Sequence, residues 1–490
     1  MALNRQTTPL ERRAFLRNAL ATAGTVAALP AMHGLGLVSS VGRVQAKAGD
    51  GGYGPLFPAP DMRDGVARIS LPEGFSYRSF SVSGMGLSGS PGSVPIAMDG
   101  MAVFNMPEGR FRLVRNHEDR NGPGAGTIAP SAGAYDALAG GGTTTLVVNP
   151  FTRELEADFV SCSGTIVNCS GGLTPWQTWV TCEETNAGTP QGWARQHGYC
   201  FEVPAAANGD VTPAPIPAMG RFSHEALAVD PDSGIVYETE DSGDSGFYRY
   251  VPNTPGVLAS GGRLQMLAVA GMFNYDTKTG QTVGVKLPVT WVDIADPNPP
   301  GQGSNDVYDQ GFALGGAIFT RLEGCWYGNG AIYFDATNGG NAGEGQVWEY
   351  RPAPNGKGGG TLTLIFESPG AGVLNSPDNL AVSPKGAILL CEDGDGDQFL
   401  RGVTLKGQIF DFAENLQTTH EWAGATFAVA PAGWNAPQIR GPYPAMGGVS
   451  DRTTLFVNRQ GSTSGAIPAP TSLSAGITFA IWGPWEKGAL

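Results

Sequence analysis

Charged residues and long apolar segments are both scarce in this chain. Only 15% of its 490 residues are charged, and it has six cysteines and five histidines. After the first fifty residues there is no long amphipathic helical stretch and no apolar run long enough to span a membrane. The sequence also has no P-loop, no Gly-x-Ser-x-Gly elbow and no His-Glu-x-x-His motif, which argues against the enzyme classes that depend on them.

Glycine and proline are abundant, with 73 and 37 copies. Many turns combined with few helical patterns are typical of a large all-β domain. The formal net charge is −14, which disfavours nucleic acid and anionic membranes as partners and favours the binding of cations.

The N-terminus, residues 1–48, is predicted to be a twin-arginine signal peptide. Arg12-Arg13 precedes a mildly apolar stretch from Ala19 to Leu29, and Ala46-Lys-Ala48 offers a small-x-small cleavage site. Removing this segment leaves 24 basic and 43 acidic residues, a formal charge of −19. The sequence therefore predicts export through the Tat translocase to a periplasmic or secreted location, without a stable membrane anchor. Residues 49–490 are predicted to form a single, monomeric catalytic domain.

One hairpin pattern occurs twice with little change. The segment from Glu225 to Glu240 and the segment from Asp378 to Glu392 each read as strand, tight turn and strand. An acidic residue stands at the start of the first strand and another at the end of the second. These positions are neighbours in an antiparallel hairpin, so Glu225 is expected beside Glu240 and Asp378 beside Glu392.

Related strands recur along the chain and end in acidic residues or asparagine at positions 118, 183, 240, 335, 392 and 458. Repeats of more than about 50 residues built only from strands predict a six-bladed β-propeller, with these acids on one rim of its central channel axis. The alternative is that strand ends are simply often polar. Residues 252–315 are predicted as an insertion loop, and the apolar segment 476–485 as a strand that could close the ring.

Several side chains can carry chemistry. Cys182 directly precedes two glutamates at a strand end and is predicted to stay outside any disulfide. Cys162 and Cys169 could pair, since an exported protein can form disulfides. His117 and His224 are interpreted as structural. Arg321 is expected either to bind a phosphate in a bidentate manner or to pair with a nearby acid such as Glu323.

Six short motifs together resemble the PhoX type of alkaline phosphatase over roughly residues 60–490. They are Asn116-His-Glu118, Thr181-Cys-Glu-Glu184, Gly220-Arg-Phe-Ser-His-Glu-Ala226, Tyr237-Glu-Thr-Glu-Asp241, Ser376-Pro-Asp-Asn-Leu380 and Leu390-Cys-Glu-Asp-Gly394.

This resemblance implies a six-bladed propeller that holds Ca²⁺ and Fe³⁺ on its axis and hydrolyses phosphate monoesters. It also implies that Cys182 is a thiolate ligand of iron and that Glu225 bridges metals. With Arg321, these two residues are the predicted catalytic set. Further metal ligands are predicted at Glu118, Glu183, Glu240, Asp241, Glu323, Asp378, Glu392, Asp393 and Glu421. The chain is shorter than typical members, and the last unit ends in Asn458-Arg-Gln where the pattern is weaker.

Two other functions fit the pattern. A calcium-dependent propeller lactonase or esterase would need an axial Ca²⁺ but neither Cys182 nor iron. A non-catalytic binding propeller would use calcium only as a structural staple. A strong colour, expected of a thiolate bound to ferric iron, would separate the phosphatase from both.

Overall fold

A computed structural model describes residues 51–300, 306–354, 358–432 and 452–490. These residues form 26 β-strands and one α-helix, α1 (Asp306–Ala313), so the predicted all-β class is confirmed. The predicted signal peptide lies outside the described residues. Among the described residues, no helix is both long and apolar enough to cross a membrane.

The first two sheets follow one another along the chain, and every pairing within them is antiparallel. The first has the order β4-β5-β6-β7, with β4 (Met98–Met106), β5 (Arg110–His117), β6 (Gly141–Val148) and β7 (Leu155–Thr165). The second has three strands, β8 (Asn168–Leu173), β9 (Thr178–Glu183) and β10 (Cys200–Pro204).

The third sheet has nine strands because one connecting strand joins two four-stranded units. One unit is β11 (His224–Val229), β12 (Val236–Glu240), β13 (Phe247–Pro252) and β14 (Gly262–Val269). The other is β16 (Leu322–Gly328), β17 (Ala331–Ala336), β18 (Gln346–Pro352) and β19 (Gly360–Glu367). The joining strand β15 (Lys286–Asp293) pairs with β14 and β19. Residues 252–315 therefore hold two strands and α1, where the sequence predicted an insertion loop.

The two remaining sheets bring the ends of the described chain together. One is β20 (Pro377–Val382), β21 (Ile388–Glu392), β22 (Phe399–Val403) and β23 (Ile409–Asn415), extended by β2 (Ala67–Pro72) and β1 (Leu56–Pro60). The other is β24 (Trp422–Val429), β25 (Thr453–Arg459), β26 (Ile477–Trp482) and β3 (Ser76–Phe80). The predicted C-terminal strand thus closes this sheet by pairing with a strand from the N-terminal side.

The first strands of these units form a closed ring. In chain order β4, β8, β11, β16, β20 and β24 each pack against the next, and β24 packs against β4. This arrangement is a β-propeller. Apolar side chains fill the space between neighbouring sheets: the rings of Phe111 and Phe456 lie 5.7 Å apart between β5 and β25, and those of Phe247 and Phe334 lie 4.2 Å apart between β13 and β17. The ring of six strands is where the acidic side chains collect.

Candidate metal centre

Each of the six strands that form the ring carries a β-bulge directly after its first or second residue. In β11, for example, His224 pairs with Glu240 and the next pair is Leu227 with Glu238, so two residues of β11 oppose one residue of β12. A bulge bends its strand and re-aims the side chains within it. The bulged pairs are Asp99-Gly100, Cys169-Ser170, Glu225-Ala226, Glu323-Gly324, Asp378-Asn379 and Gly424-Ala425.

Five of these bulges begin with an acid or a cysteine, and those five side chains gather with four further carboxylates. Their ligand atoms form four groups, and within each group the atoms lie within 4.8 Å of one another. Successive groups share Cys169, Glu225 and Asp378, which makes the arrangement continuous. We call it the central cluster; its members are Asp99, Glu118, Cys169, Glu184, Glu225, Glu323, Asp378, Asp393 and Glu421.

Glu225 lies in the middle of this chain of groups. Its side chain is fully buried, and neither carboxylate oxygen has a hydrogen-bond partner among the described residues. Burial, followed by the nearby charges of Glu323 and Asp378, raises the pKa of this carboxyl well above its usual range. A buried carboxylate without partners is costly unless a cation is bound beside it. The site therefore fits a metal ion at Glu225.

The same forces act on Asp99 and Asp378. Burial raises the pKa of Asp99, with a further contribution from Glu118, and burial with the charge of Asp393 raises the pKa of Asp378 to about 7. Carboxylates this close cannot all ionise unless cations lie between them. Carboxylate oxygens suit hard cations such as Ca²⁺, and a thiolate such as that of Cys169 suits a transition metal.

Two arginines border the cluster. Arg321 donates to both oxygens of Asp241 at 3.0 and 3.2 Å and to Glu323 at 2.6 Å. The predicted salt bridge between Arg321 and Glu323 is therefore present. Arg120 contacts Glu118 and Glu184. The Arg120 side chain is 46% exposed and that of Arg321 is 29% exposed, so both side chains are partly open to solvent beside the cluster.

Asp241, which pairs with Arg321, is a predicted ligand that lies outside the central cluster. Three further predicted ligands lie elsewhere: Glu183, Glu240 and Glu392. The structure pairs them with Asn168, His224 and Pro377, the residues directly before the bulges. Side chains alternate along a strand, so it is the following residue, such as Glu184 or Asp393, that joins the cluster. Glu240 therefore pairs with His224 and not with Glu225 as expected, and Glu392 pairs with Pro377 and not with Asp378. Each hairpin is shifted by one residue.

These three carboxylates instead hold loops. Most of their hydrogen-bond donors are backbone amides of neighbouring loops. Glu183 accepts from His197 Nδ1 and Gly198 N, Glu240 from Gly246 N and Tyr248 Oη, and Glu392 from Asn375 N, Phe399 N and Arg401 Nε. Their role in this structure is to close the turns around the centre.

Cys182 also lies outside the central cluster. It sits on β9 opposite the bulge of β8, and its Sγ atom is 3.6 Å from that of Cys200. The cysteine that the structure brings to the carboxylates is Cys169, in the bulge itself. All six cysteines are free, as predicted for Cys182, and the possible pair Cys162–Cys169 is not formed.

Sequence reasoning also missed Asp99, Glu184 and Arg120. A signal for Asp99 was present, because Asp99-Gly-Met-Ala-Val aligns with Glu225-Ala-Leu-Ala-Val and Asp378-Asn-Leu-Ala-Val. Cys169 and Glu184 had no such match, since Asn168-Cys-Ser-Gly-Gly does not resemble the other strand starts and Cys182-Glu-Glu offers two candidate acids. Arg120 comes from a loop beyond β5 and has no counterpart in the other units.

Replacing Glu392 with glutamine is expected to destabilise the fold while leaving the metal content unchanged. Its carboxylate is buried against Arg401, and removing one partner of a buried ion pair costs about 3 kcal/mol. The thermal unfolding midpoint and elemental analysis measure the two effects. Glu349→Gln, which removes a more exposed pair with Arg351, should cost less than about 1 kcal/mol. Loss of metal from folded Glu392→Gln protein would contradict this placement.

Comparisons with known proteins agree with the resemblance in the sequence. The family model described as alkaline phosphatase PhoX matches residues 51–462. No curated protein matches the chain. Among solved structures, PhoX of Pseudomonas fluorescens, in complex with the transition-state analogue vanadate, is similar with a TM-score of 0.60 and 16% identity, covering 89% of this chain and 98% of that one. A gluconolactonase from Xanthomonas campestris gives a TM-score of 0.41 at 12% identity, covering 88% and 98%.

Proposed function

The chain belongs to the PhoX alkaline phosphatase family, and we propose that it hydrolyses phosphate monoesters at the central cluster, using bound Ca²⁺ and Fe³⁺. The observation that carries the proposal is Glu225: its buried carboxylate has no hydrogen-bond partner among the described residues and lies among eight other potential ligands. A family that acts on phosphate esters and a cluster built to bind cations point to the same reaction.

The donor types suggest where each cation would bind. Two of the four groups contain Cys169, with Asp99 and Glu118 in one and Glu184 and Glu225 in the other. A ferric ion accepts a thiolate together with carboxylates, so we assign iron to these groups. The remaining two groups offer oxygen atoms only, from Glu225, Glu323, Asp378, Asp393 and Glu421, and oxygen donors suit Ca²⁺. When bound, such cations supply Lewis-acid stabilisation of the charge on a transferring phosphoryl group.

The protein side chains supply orientation and charge. A phosphate monoester carries close to two negative charges at neutral pH, because its second pKa is about 6, whereas the whole chain has a formal charge of −14. Arg120 and Arg321 pair with carboxylates of the cluster and are partly exposed. A guanidinium can release a carboxylate and bind two phosphate oxygens in its place. We assign these two arginines to substrate binding, and Glu225 to holding cations of both kinds.

The proposal includes export. The twin-arginine pattern of residues 1–48 supports transport by the Tat translocase, which carries folded proteins, to a periplasmic or secreted location. Folding before export would allow iron to be inserted in the cytoplasm. The partners we propose are therefore a small-molecule phosphate monoester and, transiently, the translocase.

The test is an assay of protein exported through its own signal. We expect hydrolysis of p-nitrophenyl phosphate at alkaline pH, inhibition by vanadate, loss of activity with a calcium chelator, and recovery when Ca²⁺ is restored. A δ-lactone and a carboxylic ester serve as control substrates and should not be turned over. Lactone or ester hydrolysis in place of phosphatase activity would favour the lactonase alternative. Activity on none of the three, with the cations bound, would favour a binding propeller.

A further inference from the structure

A second set of side chains of the types that ligate metals lies outside the central cluster. Four consecutive strands contribute one residue each: Cys182 from β9, Cys200 from β10, His224 from β11 and Glu238 from β12. All four side chains are buried. The ligand atoms of Cys200, His224 and Glu238 lie within 4.8 Å of one another, and the Sγ atom of Cys182 is 3.6 Å from that of Cys200.

The hydrogen bonding of Glu238 and His224 indicates that a cation can bind between them. Both carboxylate oxygens of Glu238 are buried and make no hydrogen bond with any described residue, although one lies 3.3 Å from His224 Nδ1. The other ring nitrogen of His224, Nε2, lies 3.1 Å from the carbonyl oxygen of Gly220. A proton on Nε2 that is donated to this carbonyl leaves a lone pair on Nδ1, directed at the cysteine and the glutamate. Metal-bound histidines are usually held in this way.

We propose that these residues bind a structural Zn²⁺ ion. Tetrahedral zinc with Zn–S bonds of about 2.3 Å and Zn–N or Zn–O bonds of about 2.0 Å places neighbouring donor atoms about 3.3–3.8 Å apart. Three separations fit this range: 3.6 Å between the two sulfurs, 3.5 Å between Cys200 Sγ and His224 Nδ1, and 3.3 Å between His224 Nδ1 and Glu238 Oε2. Cys182 lies beside Cys200 but outside the group of three ligand atoms that are mutually within 4.8 Å, so its side chain would move toward the ion on binding. On binding, the two thiols lose their protons to solvent, since thiolate is the form that ligates zinc.

The surroundings are those of a structural site. Phe222 stacks on the His224 ring with the ring centroids 3.6 Å apart, and the cysteines belong to an apolar cluster with Tyr248 and Met266. With Cys182 as the fourth ligand beside Cys200, His224 and Glu238, two thiolates, one imidazole and one carboxylate would complete a four-coordinate shell and leave no position for substrate. The β8–β10 sheet has three strands among the described residues. The zinc ion would link this short sheet to the β11–β12 hairpin. This structural role would not depend on the reaction that the central cluster catalyses.

Elemental analysis and zinc-edge X-ray absorption of wild-type protein, exported and dialysed against a mild chelator, test the proposal. We expect about one zinc per chain with two sulfur and two nitrogen or oxygen neighbours. A chain that retains no zinc, or zinc with an oxygen-only shell, would overturn the proposal. So would a Cys182–Cys200 disulfide, detected by mass spectrometry of the unreduced protein, because the thiols are close enough to oxidise.

Variants identify the donors. Cys200→Ser should lose the zinc and unfold at a lower temperature, whereas Cys162→Ser, at another fully buried cysteine, should retain it. Glu238→Gln keeps the shape of the side chain and should weaken zinc retention in a chelator competition by about 10-fold or more. If Cys200→Ser does not fold, the absorption spectrum of the wild-type protein still decides the case. Zinc content that is unchanged in folded Cys200→Ser and Glu238→Gln proteins would place the ion elsewhere.

Discussion

Glu225→Gln is expected to lower the turnover of phosphate monoesters by about 10²-fold or more, the scale seen when a well-placed catalytic group is removed. The residue belongs to two of the four groups of the central cluster, one with Cys169 and Glu184 and one with Glu323 and Asp378. Glutamine has the same shape but removes the charge that would bind a cation in each. Elemental analysis should therefore show loss of both calcium and iron along with the loss of turnover.

The fold itself should tolerate this change. Burial and neighbouring carboxylates raise the pKa of Glu225, which means that its ionised form is unfavourable in the absence of cations. The metal-free Glu225→Gln protein should therefore unfold at a temperature no lower than that of the metal-free wild type. Glu154→Gln, at an acid that is 54% exposed, is the control and should retain metals and turnover. Folded Glu225→Gln protein with wild-type metal content and turnover would show that the central cluster is not the active site.

The sequence was sufficient to predict the architecture because the relevant signals are local. Alternating apolar strands, glycine-containing turns such as Pro384-Lys-Gly386 and the absence of amphipathic helices all predict hairpins. The apolar segment at 476–485 correctly indicated a closing strand, since an unpaired apolar edge needs a partner. Two strands, β14 and β15, were missed within residues 252–315. The segment of β15, Lys286–Asp293, lies between stretches rich in proline and glycine and half of its residues are exposed, so it lacks the apolar core pattern of the others.

The candidate site was predicted only in part, and the reason is one residue of register. A simple hairpin places Glu225 opposite Glu240, but the bulge inserts a residue and pairs Glu240 with His224. Glu225, Glu323 and Asp378 were still found, because they stand at strand starts that resemble one another. On the second strands the choice between two adjacent acids, Glu183 and Glu184, depends on which face points inward. Alternation settles that choice only when the register is known.

The two cysteines Cys169 and Cys182 show the same effect, and replacing each with serine separates the sequence-based assignment from the structural one. Cys169 lies in the bulge of β8, within the central cluster, whereas Cys182 lies on β9 against Cys200. Burial, with the charges of Asp99 and Glu225, raises the pKa of the Cys169 thiol. It therefore becomes a thiolate only when a strongly charged cation binds beside it.

Cys169→Ser is accordingly expected to abolish the strong visible absorption of a ferric thiolate, to lose iron, and to lower phosphatase turnover by about 10²-fold or more. Cys182→Ser should keep the colour and the iron while losing zinc, and Cys162→Ser should keep all three. Absorption spectra and elemental analysis of the exported proteins measure these outcomes. Loss of colour from Cys182→Ser but not from Cys169→Ser would mean that the iron ligand is the one predicted from Cys182-Glu-Glu184, and that the bulge of β8 does not place its cysteine at the metal. Because the two thiols lie on adjacent strands, with Cys182 opposite the bulge that contains Cys169, this comparison tests the register of the hairpin as directly as it tests the chemistry.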